Sequence, residues 1–262
     1  MNPDDVLPDF RSFKVGRDFV FRRADGTVVS DWAEQIERVA NDHGKRVEPD
    51  HLENDVPEGR EPVFLRYGRV CADVVAMELP WLYAFHVGRH PDGSPVEDNL
   101  AELANRGRGG LPELETSGGD IEITINILRA PRILADDNTD ATPPLSDSMD
   151  WHKDFNPQVA LLYTSSRKPE DGGAVVFDVN GKLVEKYPRA GEIALLDAHS
   201  VPHCIAPLSP GSADRFSVAL NLNLRGVPTV RPTSYFAFVY GEGTEPDATA
   251  ETLPAATETI RG

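Results

Sequence analysis

The chain of 262 residues carries 26 Lys+Arg against 43 Asp+Glu, a formal net charge of −17 at pH 7, and such a field repels phosphate backbones and anionic lipid surfaces over about a Debye length. Nucleic acid and membrane are disfavoured as partners. A 40% apolar and 26% charged composition fits one structural domain with a full-sized core, neither disordered nor membrane-embedded. The opening MNPDDVLPDFRSF is acidic where a secretory leader needs positive charge, so a cytoplasmic location is expected. Cys71 and Cys204 are the only cysteines, too few for a disulfide framework and wrongly spaced for a zinc knuckle, and both are expected to be reduced thiols.

In chain order, Asp18–Arg22 and Thr27–Val29 are β-prone and flank Ala24-Asp25-Gly26, whose Asp-Gly pair predicts a hairpin. Asp31 with Glu34 has the spacing of a capping box. Trp32, Ile36, Val39 and Ala40 then recur at helical intervals up to His43-Gly44. Residues 45–62 are polar and proline-bounded, which predicts a loop. Val70 to Phe85 predicts a second helix, broken near Pro80 because proline cannot donate to the helical ladder. Ser94-Pro95-Val96-Glu97 predicts a helix start with Ser94 as cap, running to near Gly107. Residues 1–110 are thus expected to be mostly helical: a hairpin and helices packing on a core that follows.

From Asp120 the period changes from 3.6 to 2. Ile121, Ile123, Ile125 and Ile127 alternate with Glu122, Thr124 and Asn126, a strand with one apolar and one polar face. Gln158–Tyr163, Ala174–Val179, Glu192–Asp197 and Arg215–Leu224 are further strands between Gly- and Pro-rich turns. Residues 111–240 are accordingly expected to form a β-sandwich or barrel. From Gly241 the chain has five acids, one Arg and no aromatic residue, which predicts an acidic surface tail over 241–262.

His152-Lys153-Asp154 places an imidazole and a carboxylate two residues apart, on one face of an extended segment. Such a pair is also commonplace on a solvated loop. Its significance rises with Pro202-His203-Cys204-Ile205-Ala206-Pro207 and then Arg215-Phe216-Ser217. Taken as ligands, His152, Asp154 and His203 form a two-histidine, one-carboxylate set that leaves three positions open on an octahedral ion, as non-haem iron(II) oxygen chemistry requires. Structural zinc would want a fourth ligand, and Cys204 points away from the face of His203. The last strand has Phe216, Val218, Leu220, Leu222 and Leu224 on one face and Arg215, Ser217, Ala219, Asn221, Asn223 and Arg225 on the other. That polar face either meets solvent or lines a barrel interior, where Arg215 and Ser217 would suit the carboxylate of a dicarboxylate. Together with the metal set, the interior arrangement accounts for more of the pattern.

The order His152-x-Asp154, Gly191, Pro202-His203-x-Ile205-x-Pro207 and Arg215-x-Ser217 resembles the Fe(II)/2-oxoglutarate-dependent dioxygenases, in their prolyl-hydroxylase-like branch, over about residues 120–225. The resemblance implies a double-stranded β-helix (jelly roll) with buttressing helices. It implies Fe(II) on His152, Asp154 and His203, 2-oxoglutarate as cosubstrate held by Arg215 and Ser217, and O2 as oxidant. Asn126 matches a position that touches 2-oxoglutarate or substrate, and Thr124 shares its face; for both a plain surface role is the alternative. The interval from His203 to Arg215 is a few residues long for the family, with Ser209–Asp214 as the extra loop. His199 competes as ligand, but the Pro-His-x-Ile-x-Pro context favours His203 and leaves His199 at the rim.

The implied activity is hydroxylation of an unactivated C–H bond. Asp154 stands where halogenases on this scaffold have Gly or Ala, so a halide-free outcome is expected. Asn221, Asn223 and Arg225 extend the polar face and suggest a small polar substrate with a carboxylate, such as a free amino acid or a metabolite derived from one. Peptidyl-proline is the alternative from the branch, and a non-catalytic jelly-roll binding protein the alternative from another class. Nothing in the sequence indicates an oligomeric state.

Overall fold

The computed structural model describes residues 10–47, 67–116, 123–130 and 149–227. Strand β1 (Arg11–Lys14) comes first. The predicted Asp-Gly turn forms: the Arg23 N–H donates to the Thr27 carbonyl (2.9 Å) and the Asp25 carboxylate accepts from the Thr27 N–H (2.9 Å). Its arms pair only through the Arg22–Val28 bridge, so it is a turn rather than an extended hairpin. The cause is aromatic packing. Phe21 lies 4.8 Å from Trp81 and 5.1 Å from Phe85, ring centre to ring centre, and Phe19 stacks on Phe85 at 5.1 Å. Burying these rings outweighs a few solvent-facing ladder bonds.

Helix α1 (Trp32–His43) buries Ile36, Val39 and Ala40. The expected capping box is not made. Asp31 leaves the helix N–H groups alone and accepts instead from the Gln35 amide (2.8 Å), while the Gln35 amide oxygen accepts from the Trp81 indole (3.0 Å). The predicted loop begins as a strand, β2 (Lys45–Val47), paired with β3 (Tyr67–Val70); its remainder, 48–62, lies outside the described residues. The predicted break at Pro80 separates α2 (Ala72–Glu78) from α3 (Pro80–Val87), with Pro80 in the first turn of α3, where its missing N–H costs nothing. Helix α4 (Leu100–Asn105) starts later than predicted. Asn99, not Ser94, is its cap, accepting from the Glu102 N–H (3.1 Å), whereas the Ser94 hydroxyl donates to Asp92 (2.6 Å).

Then follow β4 (Leu114–Glu115), β5 (Ile123–Leu128), β6 (Met149–His152), β7 (Gln158–Tyr163), β8 (Val175–Val179), β9 (Lys182–Lys186), β10 (Glu192–Leu196), β11 (His203–Ile205) and β12 (Arg215–Leu224). The start of the predicted first barrel strand, 120–122, and the tail 241–262 lie outside the described residues. The larger sheet runs β1-β10-β7-β12-β5-β3-β2, with β4 on the end of β12; the smaller runs β6-β11-β8-β9. All of these pairings are antiparallel. From β5 to β12 the chain passes back and forth between the two sheets, and this strand order is a double-stranded β-helix. Because β1, β2 and β3 join the larger sheet, the expectation of a mostly helical first 110 residues needs correction: that segment widens the sheet as well as covering it.

The helices lie on the outer face of the larger sheet. Ile36, Val75, Leu82 and Leu103 pack there with Ile125, Leu162, Val218 and Leu220, each fully buried side chain contributing about 1.5–3 kcal/mol. A second core between the sheets holds Val159, Tyr163, Phe177, Val184 and Leu196. No described helix is long and apolar enough to cross a membrane.

His86 on α3 is fully buried, and among the described residues neither ring nitrogen has a hydrogen-bond partner. Burial alone pulls its pKa from 6.5 to about 3. Since the folded value lies below the unfolded one, the stability is complete above pH 6.5 and is lost as pH falls toward 3. At about 1.4 kcal/mol per pH unit, the neutral variant His86→Leu is expected to gain about 2 kcal/mol on the wild type between pH 6.5 and 5. Urea unfolding at the two pH values measures this, and an unchanged difference refutes it.

Candidate active site

β6 and β11 are neighbours, and their register sets His152 directly opposite His203. Their rings lie 4.3 Å apart, centre to centre. Asp154, two residues beyond the end of β6, turns its carboxylate between them: Oδ1 is 3.8 Å from His152 Nε2 and Oδ2 is 3.7 Å from His203 Nε2. These separations are too long for hydrogen bonds. The three side chains offer ligand atoms within 4.8 Å of one another, enough to hold a metal ion. His203 Nδ1 is 3.1 Å from the Val201 carbonyl, which can only accept; Nδ1 therefore carries the proton and Nε2 presents its lone pair to the cluster. Burial, reinforced by His152, pulls the His203 pKa to about 4 against the opposing pull of Asp154. The imidazole is thus neutral and ready to ligate at neutral pH. Cys204 faces the opposite side, buried with Trp151, Ala174 and Val176, as strand alternation demands.

The interior between the sheets is polar along β12. Arg215 is 1% exposed, and among the described residues none of its three guanidinium nitrogens has a hydrogen-bond partner of normal geometry. The Tyr163 ring lies alongside, its centre 5.5 Å from the guanidinium carbon. Burial lowers the Arg215 pKa, with Tyr163 opposing and Arg167 adding to the shift; Tyr163 in turn is pushed up to about 12, chiefly by burial. Gly173, at φ +72°, makes room here: a Cβ on it would stand 2.5 Å from the Leu208 side chain and 3.4 Å from Arg215 Cδ. The extra residues before Arg215 form an anchored turn. The Ser212 N–H donates to the Ser209 carbonyl (3.1 Å), Arg167 holds the Ala213 carbonyl, and Asp214 accepts from Arg129 (2.6 Å) and the Ala130 N–H (3.0 Å).

Ser217 stands between Tyr163 on β7 and Asn126 on β5 in one row across the inner face. Asn126 and Thr124 are 5% and 4% exposed, so neither is a surface residue, and Asn126 Oδ1 has no partner among the described residues. Asn221, opposite Val159, and Asn223 are also buried. Asn223 Oδ1 accepts from Asn156 Nδ2 (2.8 Å), and Asn156 follows Asp154 by two residues; the Asn223 end of β12 is therefore the metal end and Arg215 the far end. Arg225 departs from the sequence expectation. It lies past the end of β12, 61% exposed, paired with Glu113, so it does not extend the inner face. His199 is exposed and outside the ligand cluster, its Nδ1 on the Asp154 carbonyl (2.9 Å). Sequence reasoning missed Tyr163, Asn156 and Arg69, the last buried opposite Asn126 on β3. Tyr163 ends a predicted strand, but only the register reveals its face.

The fold and the side chains define a double-stranded β-helix with a His–Asp–His cluster at one end of its interior and a buried arginine at the other. The sequence matches no protein-family model and no curated protein. Among solved structures it is similar to a Pseudomonas putida prolyl-4-hydroxylase, at 17% identity and TM-score 0.42, covering 81% of this chain and 92% of that one. It is also similar to HygX from Streptomyces hygroscopicus with nickel, 2-oxoglutarate and hygromycin B bound, at 14% identity and TM-score 0.47, covering 87% of each chain. A third is a Trichoplax adhaerens prolyl hydroxylase in complex with a hypoxia inducible factor peptide, at 9% identity and TM-score 0.45, covering 83% of this chain and 84% of that one.

Proposed function

We propose that this chain is an iron(II)- and 2-oxoglutarate-dependent oxygenase that hydroxylates an unactivated C–H bond of a small polar substrate, a free amino acid or a metabolite derived from one. The observation that carries this reading is the buried guanidinium of Arg215, which has no carboxylate partner among the described residues, inside the barrel that also holds His152, Asp154 and His203. A desolvated cation without a paired anion is costly to keep, and a ligand carboxylate offsets that cost with a bidentate pair. His152, Asp154 and His203 would hold iron(II). Bound there with the cosubstrate, iron(II) supplies the oxidising chemistry, in which 2-oxoglutarate and O2 become succinate and CO2 as C–H becomes C–OH.

The protein's own share is placement and exclusion of water. Arg215 and Ser217 hold the far carboxylate of 2-oxoglutarate, and Asn126, beside Ser217 on β5, orients the ligand through its amide NH2, the half of the side chain that can donate. Tyr163 closes the far end beside the guanidinium. No general base is needed, which agrees with the neutral His203 and with its proton lying on the nitrogen turned away from the cluster. Asn221 and Thr124, buried on the same wall, are assigned to the substrate.

The test is succinate release with Fe(II) and 2-oxoglutarate across a panel of free amino acids and proline-containing peptides. Stimulation by a free amino acid supports the proposal; stimulation by peptides alone reassigns the substrate; release with none of them, even unstimulated, returns the chain to a binding role. Asn221→Ala is expected to raise the substrate KM about 3- to 10-fold, the loss of one hydrogen bond, or to release more succinate than product, with iron and 2-oxoglutarate affinities unchanged. Wild-type KM and coupling would exclude Asn221 from the substrate pocket.

A further inference from the structure

His152 and His203 are fixed by the β6–β11 pairing, but Asp154 is not: it lies past the last residue of β6, in a stretch with no strand partner. Both of its main-chain polar groups are taken up by two adjacent residues of the β10–β11 connection. The Asp154 N–H donates to the Ala198 carbonyl (3.0 Å), and the Asp154 carbonyl faces His199 Nδ1 at 2.9 Å. A carbonyl can only accept, so His199 Nδ1 carries the proton and donates. The connection is itself braced, the Ser200 N–H donating to the Asp197 carboxylate (3.2 Å). The Ala198 bond is main chain to main chain and survives most substitutions. The bond to the Asp154 carbonyl needs the side chain at 199.

We propose that His199 is a positioning residue for the metal centre, its Nδ1–H holding the backbone of Asp154 so that the carboxylate stays between the two imidazoles. His199 is not a ligand, since it stands outside the three-residue cluster. It acts one bond further out, on the only ligand that the sheet does not place. The inference rests on the metal reading above. It adds that the β10–β11 connection, which leads directly into His203, places two of the three ligands: one by chain continuity, the other through His199.

The test titrates metal-free protein with Mn(II), followed by calorimetry and by the electron paramagnetic resonance of the free ion. His199→Ala is expected to weaken Mn(II) binding by about tenfold, the lower end for a lost outer partner of a metal ligand, with the unfolding temperature of the metal-free protein unchanged. His199→Asn, whose amide N–H can reach the same carbonyl, is expected to bind within about threefold of the wild type. Wild-type affinity in His199→Ala overturns the inference, and so does equal weakening in the Ala and Asn variants, which would mark a merely structural role. Asp154→Ala separates the two readings. If the wild type binds Mn(II) and Asp154→Ala does not, the metal reading stands whatever His199→Ala does; if the wild type does not bind, both fall.

Discussion

Arg215→Met is expected to make the protein more stable and unable to hold its cosubstrate. The guanidinium is buried with no partner of normal geometry among the described residues, so the folded chain bears the desolvation cost without the compensating ion pair. Replacement of buried charge by an apolar side chain of similar length stabilises by about 1–4 kcal/mol, or roughly 2–4 °C in Tm per kcal/mol for a chain of this size. The same change removes the partner of a ligand carboxylate, a loss of about 2–5 kcal/mol, or roughly thirty- to four-thousand-fold in Kd. In the wild type 2-oxoglutarate should raise Tm by mass action; in Arg215→Met that rise should vanish above a higher starting Tm. Neither Arg129, engaged with Asp214 and Asn41, nor Arg225, paired with Glu113 at the surface, can take over. A variant with wild-type 2-oxoglutarate affinity would remove Arg215 from the binding site and with it the main support for the proposed chemistry.

Alanine at His152, Asp154 or His203 is expected to abolish metal-dependent turnover and to weaken Mn(II) binding by more than about 100-fold, beyond the upper figure for residues one shell further out. The fold should survive, because none of the three supplies apolar burial to either core. Asp154→Ala removes two facing oxygens and leaves two imidazoles alone; His203→Ala removes the more deeply buried of the two histidines. Calorimetric titration with circular dichroism as the control for folding distinguishes loss of the site from loss of the chain. Tight binding in any one of the three alanine variants would show that its residue is not a ligand.

The barrel strands were legible where period 2 is strong. Gln158–Tyr163 and Arg215–Leu224 match β7 and β12 end for end. β6 and β9 were not, because Met149–His152 is too short to show a period and Lys182–Lys186, whose apolar residues are adjacent rather than alternating, turns only Val184 and Lys186 inward. Of the two predicted helix starts, the one at Asp31 is where α1 begins, although the Asp31 side chain bonds Gln35 instead of capping; the one at Ser94 is displaced to Asn99, the Ser94 hydroxyl having found Asp92. The chemistry-bearing residues were legible because their types are rare and their order is characteristic. Depth was not. That Thr124 and Asn126 are interior follows from the smaller sheet packing over the face they share with Ala219, which no local pattern in 120–127 reveals. Arg225 failed in the opposite sense: alternation continues in the sequence after the strand has ended.

Among the described strands β6 is the edge of the smaller sheet, joined to β11 at His152–His203 and Met149–Ile205 with a register shift between the two pairs. An edge held so lightly is where a sheet opens first. An ion shared by His152, Asp154 and His203 would rivet that edge to its neighbour and close a ring through β7, β8, β9 and β10, so that opening the edge would first require breaking a coordinate bond. Metal supply would then govern the lifetime of the chain as well as its chemistry: a starved molecule would lie exposed to proteases along 149–154, and a loaded one would not.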